Sequence, residues 1–181
     1  MYTTLNKIRS HLPCEKGWKT LLKSLGKTEA DDEPLPLLQI LESNGLFDAL
    51  WCIRAVDGFE SEKQLLAVAF AREVEHMLQD SRLLNAINVA EKHAKGLATK
   101  MELKEAWYSA RATHIAGLAM DTLYTMYTMR YATLVTRASA MGADFAVYDT
   151  VYYVVAATCD AALKKLDAIF RTFLERTISG E

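Results

Sequence analysis

The sequence predicts an all-α protein, a single-domain bundle of six to eight helices that takes up all 181 residues. Apolar residues recur at spacings of three and four, which places them on one face of a helix. Glycines follow these apolar segments, at positions where the left-handed conformation that ends many helices costs glycine little. No strand is expected between the helices. We expect shorter helices over residues 1–98 and longer ones over residues 99–181.

The pattern is clearest between Asn44 and Glu105, where Gly45, Gly58 and Gly96 separate three helix-like segments. The second and third segments each carry one apolar face, and we expect each face to be buried in the core. These faces consist of Leu66, Phe70, Val74 and Met77 in the second segment, and of Leu83, Ile87, Ala90 and Ala94 in the third.

Two further helices are predicted before this region, one from Cys14 to Leu25 that ends at Gly26, and a short one from Leu35 to Ser43. Between them lies an acidic turn, residues 29–33, with the sequence Glu-Ala-Asp-Asp-Glu. One interpretation is a solvated loop whose acids favour the positive N-terminus of the next helix. The other is a surface that attracts a basic partner such as a nuclease toxin. Its candidate partner-binding residues are Asp31, Asp32 and Glu33.

The second half begins at Thr99-x-x-Glu102, a pattern typical of a capping box. Two uncharged stripes follow and predict two long antiparallel helices packed along a seam, with a turn at Met141-Gly142-Ala143. The first stripe exceeds an ordinary helix, so a break is expected near residues 117–122. The first stripe is Ala106, Ala110, Thr113, Gly117, Met120, Tyr124, Tyr127, Tyr131, Leu134 and Ala138, and the second is Phe145, Tyr148, Tyr152, Val155, Cys159, Ala162, Leu166, Ile169 and Phe173.

Composition limits the classes of partner. The formal net charge of −2 argues against a nucleic-acid-binding surface, which needs an excess of positive charge. The longest uncharged apolar run, Thr150 to Cys159, is about half of what a membrane-spanning helix needs. The N-terminal residues lack the apolar run of a signal peptide. Three cysteines, far apart and in apolar surroundings, indicate buried, reduced thiols, so a cytoplasmic location is expected.

Few residues suggest chemistry. Glu73-x-x-His76 would place a carboxylate and an imidazole one helical turn apart, as in di-iron helix bundles. Such a site needs a second Glu-x-x-His, and none exists, because His93 follows Glu91 by two residues. No glycine-rich phosphate loop, Cys-x-x-Cys pair or nucleophile elbow is present in the sequence. We therefore expect no metal, no cofactor and no catalytic residues.

One block of the sequence resembles a known family. In order, the motifs are Ala49–Val56 (ALWCIRAV), the polar turn Asp57–Glu62, Val74–His76, Asp80–Glu91 (DSRLLNAINVAE) and Ala94–Thr99. Together they resemble the immunity type-five-like helical domain, a family of immunity proteins from bacterial toxin systems that also occurs in phage genomes. The resemblance covers about a third of the chain. It implies a helical fold and a role in neutralising a toxin or another protein.

Aromatic residues provide the other candidate surface. Seven of the eight tyrosines lie in the range from Tyr108 to Tyr153. A buried tyrosine needs a partner for its hydroxyl, which suits the edge of a helical seam or an interface with a partner or a second copy. Trp51 and Arg54, one turn apart, are a further aromatic–arginine pair, although Trp51 also fits a core position. The candidate contact residues in the tyrosine-rich half are Tyr124, Tyr127, Tyr148 and Tyr152.

The sequence therefore predicts a non-catalytic protein that binds another protein. The resemblance makes this an immunity or inhibitor protein that occludes a cognate toxin or a host-defence factor. We expect no nucleic-acid or membrane partner, and a homodimer is a further option. The alternative is a helical-bundle enzyme that depends on a small molecule or a metal ion.

Overall fold

The computed structural model describes residues 1–73, 75–78, 80–117 and 160–179. These residues form eight α-helices, two short 3-10 helices and a single pair of two-residue strands, so the predicted all-α multi-helix class is confirmed. In chain order they are β1 (Tyr2–Thr3), α1 (Leu5–Ser10), α2 (Glu15–Leu25), β2 (Leu35–Pro36), α3 (Leu37–Asn44), α4 (Leu46–Cys52), a 3-10 helix (Ile53–Ala55), α5 (Glu60–Arg72), a 3-10 helix (Glu75–Met77), α6 (Ser81–Ala94), α7 (Lys100–Gly117) and α8 (Asp160–Ser179).

Two compact units divide the chain, one made of Met1–Phe59 with Asp167–Glu181 and the other of Glu60–Leu166. The first is discontinuous in sequence, because its N-terminal part is joined by the C-terminal helix. In this unit the Met1 ammonium donates a hydrogen bond to Thr177 Oγ1 at 3.0 Å. Compactness alone does not establish independent folding, so the single-domain organisation remains a prediction.

The core of the first unit is built from α1, α3, α4 and α8. Apolar side chains from each of these helices are almost completely buried. A buried polar residue also belongs to it: the Thr3 hydroxyl donates to the Ala55 carbonyl at 2.5 Å, which satisfies a group that would be costly to bury alone. Representative core residues are Leu5, Ile8, Leu37, Ile40, Leu50, Ile53, Phe170 and Leu174.

The predicted helix from Leu35 to Ser43 is wrong at its first two residues. Leu35 and Pro36 form β2, which pairs antiparallel with β1 in the register Tyr2 to Pro36 and Thr3 to Leu35. Helix α3 begins only at Leu37, because Pro36 has the extended backbone of a residue that precedes a helix. A strand of two residues shows no alternation that a sequence pattern could display.

Helix α2 ends as predicted at Leu25 but begins at Glu15, one residue later than predicted. Cys14 is its capping residue and accepts a hydrogen bond at Sγ from the Gly17 amide at 3.3 Å; it is exposed, so its predicted burial is wrong. At the other end, Gly26 has a φ of 64° and ends the helix in the left-handed conformation. Lys27 N then donates to the Leu22 carbonyl at 3.0 Å, which satisfies an otherwise orphaned helix acceptor. This ending directs the chain into the acidic turn.

The second unit packs α5, α6 and α7 around a shared core. Leu83, Ile87, Ala90 and Ala94 are all buried, which confirms the face predicted for α6. Residues from α5 and α7 complete this core, among them Val68, Ala71, Leu103 and Ala110.

Helix α5 is shorter than its apolar spacing predicts. Leu66 and Phe70 are buried as expected, but α5 ends at Arg72 and a 3-10 turn follows from Glu75 to Met77. The helical face predicted through Met77 is therefore wrong beyond Arg72; Val74 and the Met77 side chain lie outside the described residues. Arg72 itself donates to Glu75 Oε1 at 2.7 Å across the break.

Thr99 and Glu102 form the predicted capping box at the start of α7. The Thr99 amide donates to Glu102 Oε2 at 2.7 Å, and the Glu102 amide donates to Thr99 Oγ1 at 3.2 Å. Each residue therefore satisfies an amide that the helix leaves without an intrahelical acceptor. These hydrogen bonds, with the backbone bond first, lower the pKa of the Glu102 carboxyl.

Most of the tyrosine-rich half lies outside the described residues. This applies to the turn at Met141–Ala143, to the expected break near residues 117–122 and to the pairing of the two long stripes. Within α8, Leu166 is buried, but Ile169 and Phe173 are only half-buried, and the continuous buried line is Leu166, Phe170 and Leu174. In the part of the chain that is described, no helix combines the length and the apolar character needed to cross a bilayer.

Candidate functional site

The acidic turn is organised around one lysine. Lys27 Nζ donates to Asp31 Oδ2 and to Glu33 Oε2, each at 2.5 Å. Because Lys27 leaves α2 immediately after Gly26, the helix ending determines where its ammonium can reach. The lysine side chain is only 26% exposed, whereas the Glu33 side chain is 76% exposed. We call this arrangement, Lys27 with Asp31 and Glu33, the lysine clamp.

Helix α1 holds the turn from the other side. The Asn6 amide donates to the Asp31 carbonyl at 3.0 Å. The Thr4 hydroxyl donates to Asp32 Oδ1 at 3.4 Å, a long hydrogen bond. Within the turn, the Glu33 amide donates to Asp31 Oδ1 at 3.1 Å, as in an Asx turn. The turn is therefore fixed by backbone and side-chain hydrogen bonds on both flanks.

The clamp also determines the charge of the turn. The hydrogen bond from Lys27 lowers the pKa of Asp31, and the hydrogen bonds to Asp31 and Glu33 raise the pKa of Lys27. Both shifts favour the charged forms at neutral pH. Glu29, Asp31, Asp32 and Glu33 bring four negative charges against the one positive charge of Lys27, so the surface is acidic overall. Asp32 and Glu33 are the exposed members of the predicted site.

An open cleft lies beside the acidic turn, in the same unit. Its volume is about 460 Å³, and its walls come from α1, α2 and the start of the loop that leads into the acidic turn. The lining residues are Arg9, Trp18, Leu22, Thr28, Glu29 and Ala30. This cleft was not predicted, because its lining residues come from three separate segments with no common spacing.

The tyrosines predicted as contact residues and the Trp51–Arg54 pair are the other candidates. Tyr124, Tyr127, Tyr148 and Tyr152 lie outside the described residues, so their contact role stays a prediction. The Arg54 guanidinium stacks on the Trp51 ring at 4.5 Å, and Arg54 Nε donates to the Trp51 carbonyl at 2.9 Å. Trp51 is only partly buried, so it is not the full core residue that its helix neighbours suggested.

A second aromatic cluster lies on α7 and was not predicted. The Trp107 and Tyr108 rings are 4.7 Å apart, Arg111 stands over Trp107 at 5.4 Å, and Lys104 stands over Tyr108 at 5.9 Å. The signal was available in the sequence, because Lys104 to Tyr108 and Trp107 to Arg111 are both four-residue steps on a helix.

The Glu73–His76 pair, considered for a metal site, is not part of one continuous helix. Glu73 and His76 lie on either side of the break after α5, and Glu73 is 3.7 Å from the Lys165 ammonium. No cluster of three or more metal-ligating side chains occurs within the described ranges. The acidic turn and the neighbouring cleft together form an acidic surface next to a cleft of mixed charge, which suits recognition of a charged partner.

Comparison of the chain with protein-family models, with curated proteins and with solved structures finds no match in any of the three. The resemblance to the immunity family therefore rests on the motifs alone.

Proposed function

We propose that this chain is a non-catalytic cytoplasmic protein that binds a basic surface of another protein through its acidic turn. In its specific form, it is an immunity or inhibitor protein that occludes a toxin or a host-defence factor. The observation that carries the proposal is the lysine clamp, which fixes an acidic surface in one conformation before any partner arrives. The motif resemblance supports the immunity role.

Preorganisation matters because ordering a flexible loop at an interface costs free energy that weakens binding. Asp31 is held by Lys27 and by Asn6, so the turn loses little conformational freedom when it meets a partner. Asp32 and Glu33 remain exposed and carry the charge that a basic partner would meet first. Such charges mainly raise the association rate, by steering the encounter.

The test expresses the product of each gene that neighbours this one, with and without this chain, and asks whether the chain neutralises the toxicity of any of them. Binding kinetics are then measured with the purified pair. The double variant Asp32→Lys, Glu33→Lys should slow association at low salt by about tenfold or more and reduce its salt dependence, with little change in dissociation. The matched control is Glu105→Lys with Glu175→Lys, which makes the same change in net charge at exposed acids elsewhere.

If the acidic-turn variant associates as fast as the wild type, the acidic turn is not part of the interface. If no product of a neighbouring gene binds the chain, the immunity role is wrong. The tyrosine-rich half remains the second predicted surface, and there Tyr→Ala changes at Tyr124, Tyr127, Tyr148 or Tyr152 should speed dissociation.

A further inference from the structure

We propose that the cleft beside the acidic turn binds a small zwitterion, a molecule of dipeptide size that carries one ammonium and one carboxylate group. This site is separate from the proposed protein-binding role and does not depend on it. The inference rests on two opposite charges that line the cleft without an ion pair, on the Trp18 and Leu22 side chains that line it with them, and on the size of the cleft.

Opposite charges face the same cleft without neutralising each other. Arg9 from α1 and Glu29 from the loop after α2 both line it. Within the described part of the chain, neither side chain forms a hydrogen bond or an ion pair. The two charged groups therefore do not pair with each other in this structure. A ligand with both charges could bridge them, with its carboxylate on the guanidinium and its ammonium on the Glu29 carboxylate.

Two acidic residues close to Glu29 in the sequence are already paired, whereas Glu29 is not. Asp31 and Glu33, two and four residues after Glu29, both bind Lys27. Lys27 therefore satisfies the acids on one side of the turn, while Glu29 is left facing the cleft. Arg9 likewise remains unpaired although four acids lie in the adjacent turn. The pairing within the turn leaves one charge of each sign available to a ligand.

The cleft also offers a surface for the uncharged body of the ligand. Trp18 and Leu22 lie one turn apart on α2, are both partly exposed, and line the cleft. The accessible lining of the cleft is mostly polar, and a small aliphatic or aromatic side chain can pack on the exposed part of the indole. The volume of about 460 Å³ is near the lower end of the range for small-molecule sites and fits a dipeptide better than a large cofactor.

The experiment titrates the ¹⁵N-labelled protein with leucyl-glycine and follows the indole N–H signals of its three tryptophans by NMR. The Trp18 signal, assigned with Trp18→Phe, should shift saturably. The signals of Trp51 and Trp107 should not move, so they act as internal controls. N-acetylation or C-terminal amidation of the dipeptide removes one charge, and each should weaken binding by about tenfold.

Two variants test which residue binds which charge. Arg9→Gln should weaken binding of leucyl-glycine but leave the affinity for the C-terminal amide unchanged, because that form has no carboxylate to lose. Glu29→Gln should weaken binding of leucyl-glycine but not of the N-acetylated form. Lys23→Gln, an exposed change on α2 that does not line the cleft, should leave all three affinities unchanged.

The inference is overturned if the Trp18 signal does not move, or if the free, acetylated and amidated dipeptides bind equally. It is also overturned if a terminally blocked lysyl-glutamyl peptide, which carries both charges on its side chains, binds more tightly than leucyl-glycine. That result would assign the cleft to a protein segment. Loss of toxin neutralisation in the acidic-turn variant, with dipeptide binding unchanged, would separate the two proposals.

Discussion

Single residues decide where several helices begin. At Thr99 one hydroxyl and one carboxylate satisfy two backbone amides, and the first turn of α7 depends on both. We expect Thr99→Ala to lower the free energy of unfolding by about 1 kcal/mol, as measured by urea denaturation. Thr99→Ser keeps the hydroxyl and should be close to wild type. Equal stability of the alanine and serine variants would show that water replaces the cap.

Gly17 lies close to the side chains of two residues, Asp48 and Cys14. A β-carbon there would lie 2.7 Å from Asp48 Oδ2, the oxygen that accepts a hydrogen bond from Asn44 Nδ2 at 2.9 Å. In an ordinary helix interior, replacing glycine by alanine gains about 1 kcal/mol. Here we expect Gly17→Ala to destabilise the protein, because the Asp48 carboxylate must move and lose its partner.

The same substitution should be less destabilising once that carboxylate is removed. In an Asp48→Ala background the 2.7 Å contact is absent, whereas the 3.2 Å contact of the added β-carbon with Cys14 Sγ remains. Urea denaturation of the four proteins gives a double-mutant cycle, for which we expect a coupling energy of about 1–2 kcal/mol. Additive effects would show that the contact with Asp48 does not limit the site.

At the scale of elements, one charged network joins α5 to α6 across the break after Arg72. Arg72 donates to Glu75 Oε1, Asn88 Oδ1 and Glu91 Oε2, each at 2.7 Å, and Lys95 donates to the other oxygen of Glu91. The hydrogen bond from Lys95, followed by that from Arg72, lowers the pKa of Glu91 below its ordinary value of 4.5. The network therefore contributes to stability only while Glu91 is ionised.

The sign of its pH dependence follows from the direction of that shift. Because the folded-state pKa lies below the unfolded one, the stabilisation is complete above pH 4.5 and is lost as pH falls through the folded-state pKa. Glu91→Gln should reduce the loss of stability between pH 6 and about pH 3, measured by urea denaturation. Asp31, Asp80 and Glu102 titrate in both proteins, so the difference isolates Glu91. Identical pH profiles would contradict this account.

Elements whose ends depend on a special residue were the most predictable from sequence. Gly26 and Gly96 end α2 and α6 with positive φ, a conformation that glycine adopts without strain. The end of α5 was missed because no glycine or proline marks Arg72, and the apolar spacing continues past it. The β1–β2 pairing was missed because two residues carry no periodic signal, and the pairing joins segments more than thirty residues apart.

The candidate site was predictable only in part, for a related reason. The acidic turn is a continuous run of charge, so sequence alone identified Asp31, Asp32 and Glu33. Its partner Lys27 and the cleft formed by Arg9, Trp18 and Glu29 depend on how α1, α2 and the following loop meet. No local pattern encodes that arrangement, because each residue considered singly is an ordinary exposed side chain.

At the scale of the whole molecule, the labelling rates of the cysteines measure how often the core of the first unit opens. Burial raises the pKa of the Cys52 thiol to about 12, whereas Cys14 is exposed at the start of α2. Only a thiolate reacts quickly with a disulfide reagent. A variant with Cys52 alone should therefore be labelled at least about a thousandfold more slowly than a variant with Cys14 alone, and urea should accelerate the labelling.

The two single-cysteine variants share the change Cys159→Ser, because Cys159 lies outside the described residues. Cys14→Ser retains a side chain that can cap α2, so the Cys52 variant should keep its stability. Equal labelling rates for the two thiols in the absence of urea would show that the region around Cys52 opens readily and is not part of a closed core.

The discontinuous first unit has a consequence for the order in which the protein folds during synthesis. Its N-terminal part, Met1–Phe59, is synthesised well before Asp167–Glu181. The β1–β2 pairing can form early, whereas Phe170 and Leu174 cannot enter this core until α8 has been synthesised. The continuous segment Glu60–Leu166 can collapse before that point. Until α8 has left the ribosome, the nascent chain exposes the apolar surface that Phe170 and Leu174 cover later, and this interval is when a chaperone would be needed most.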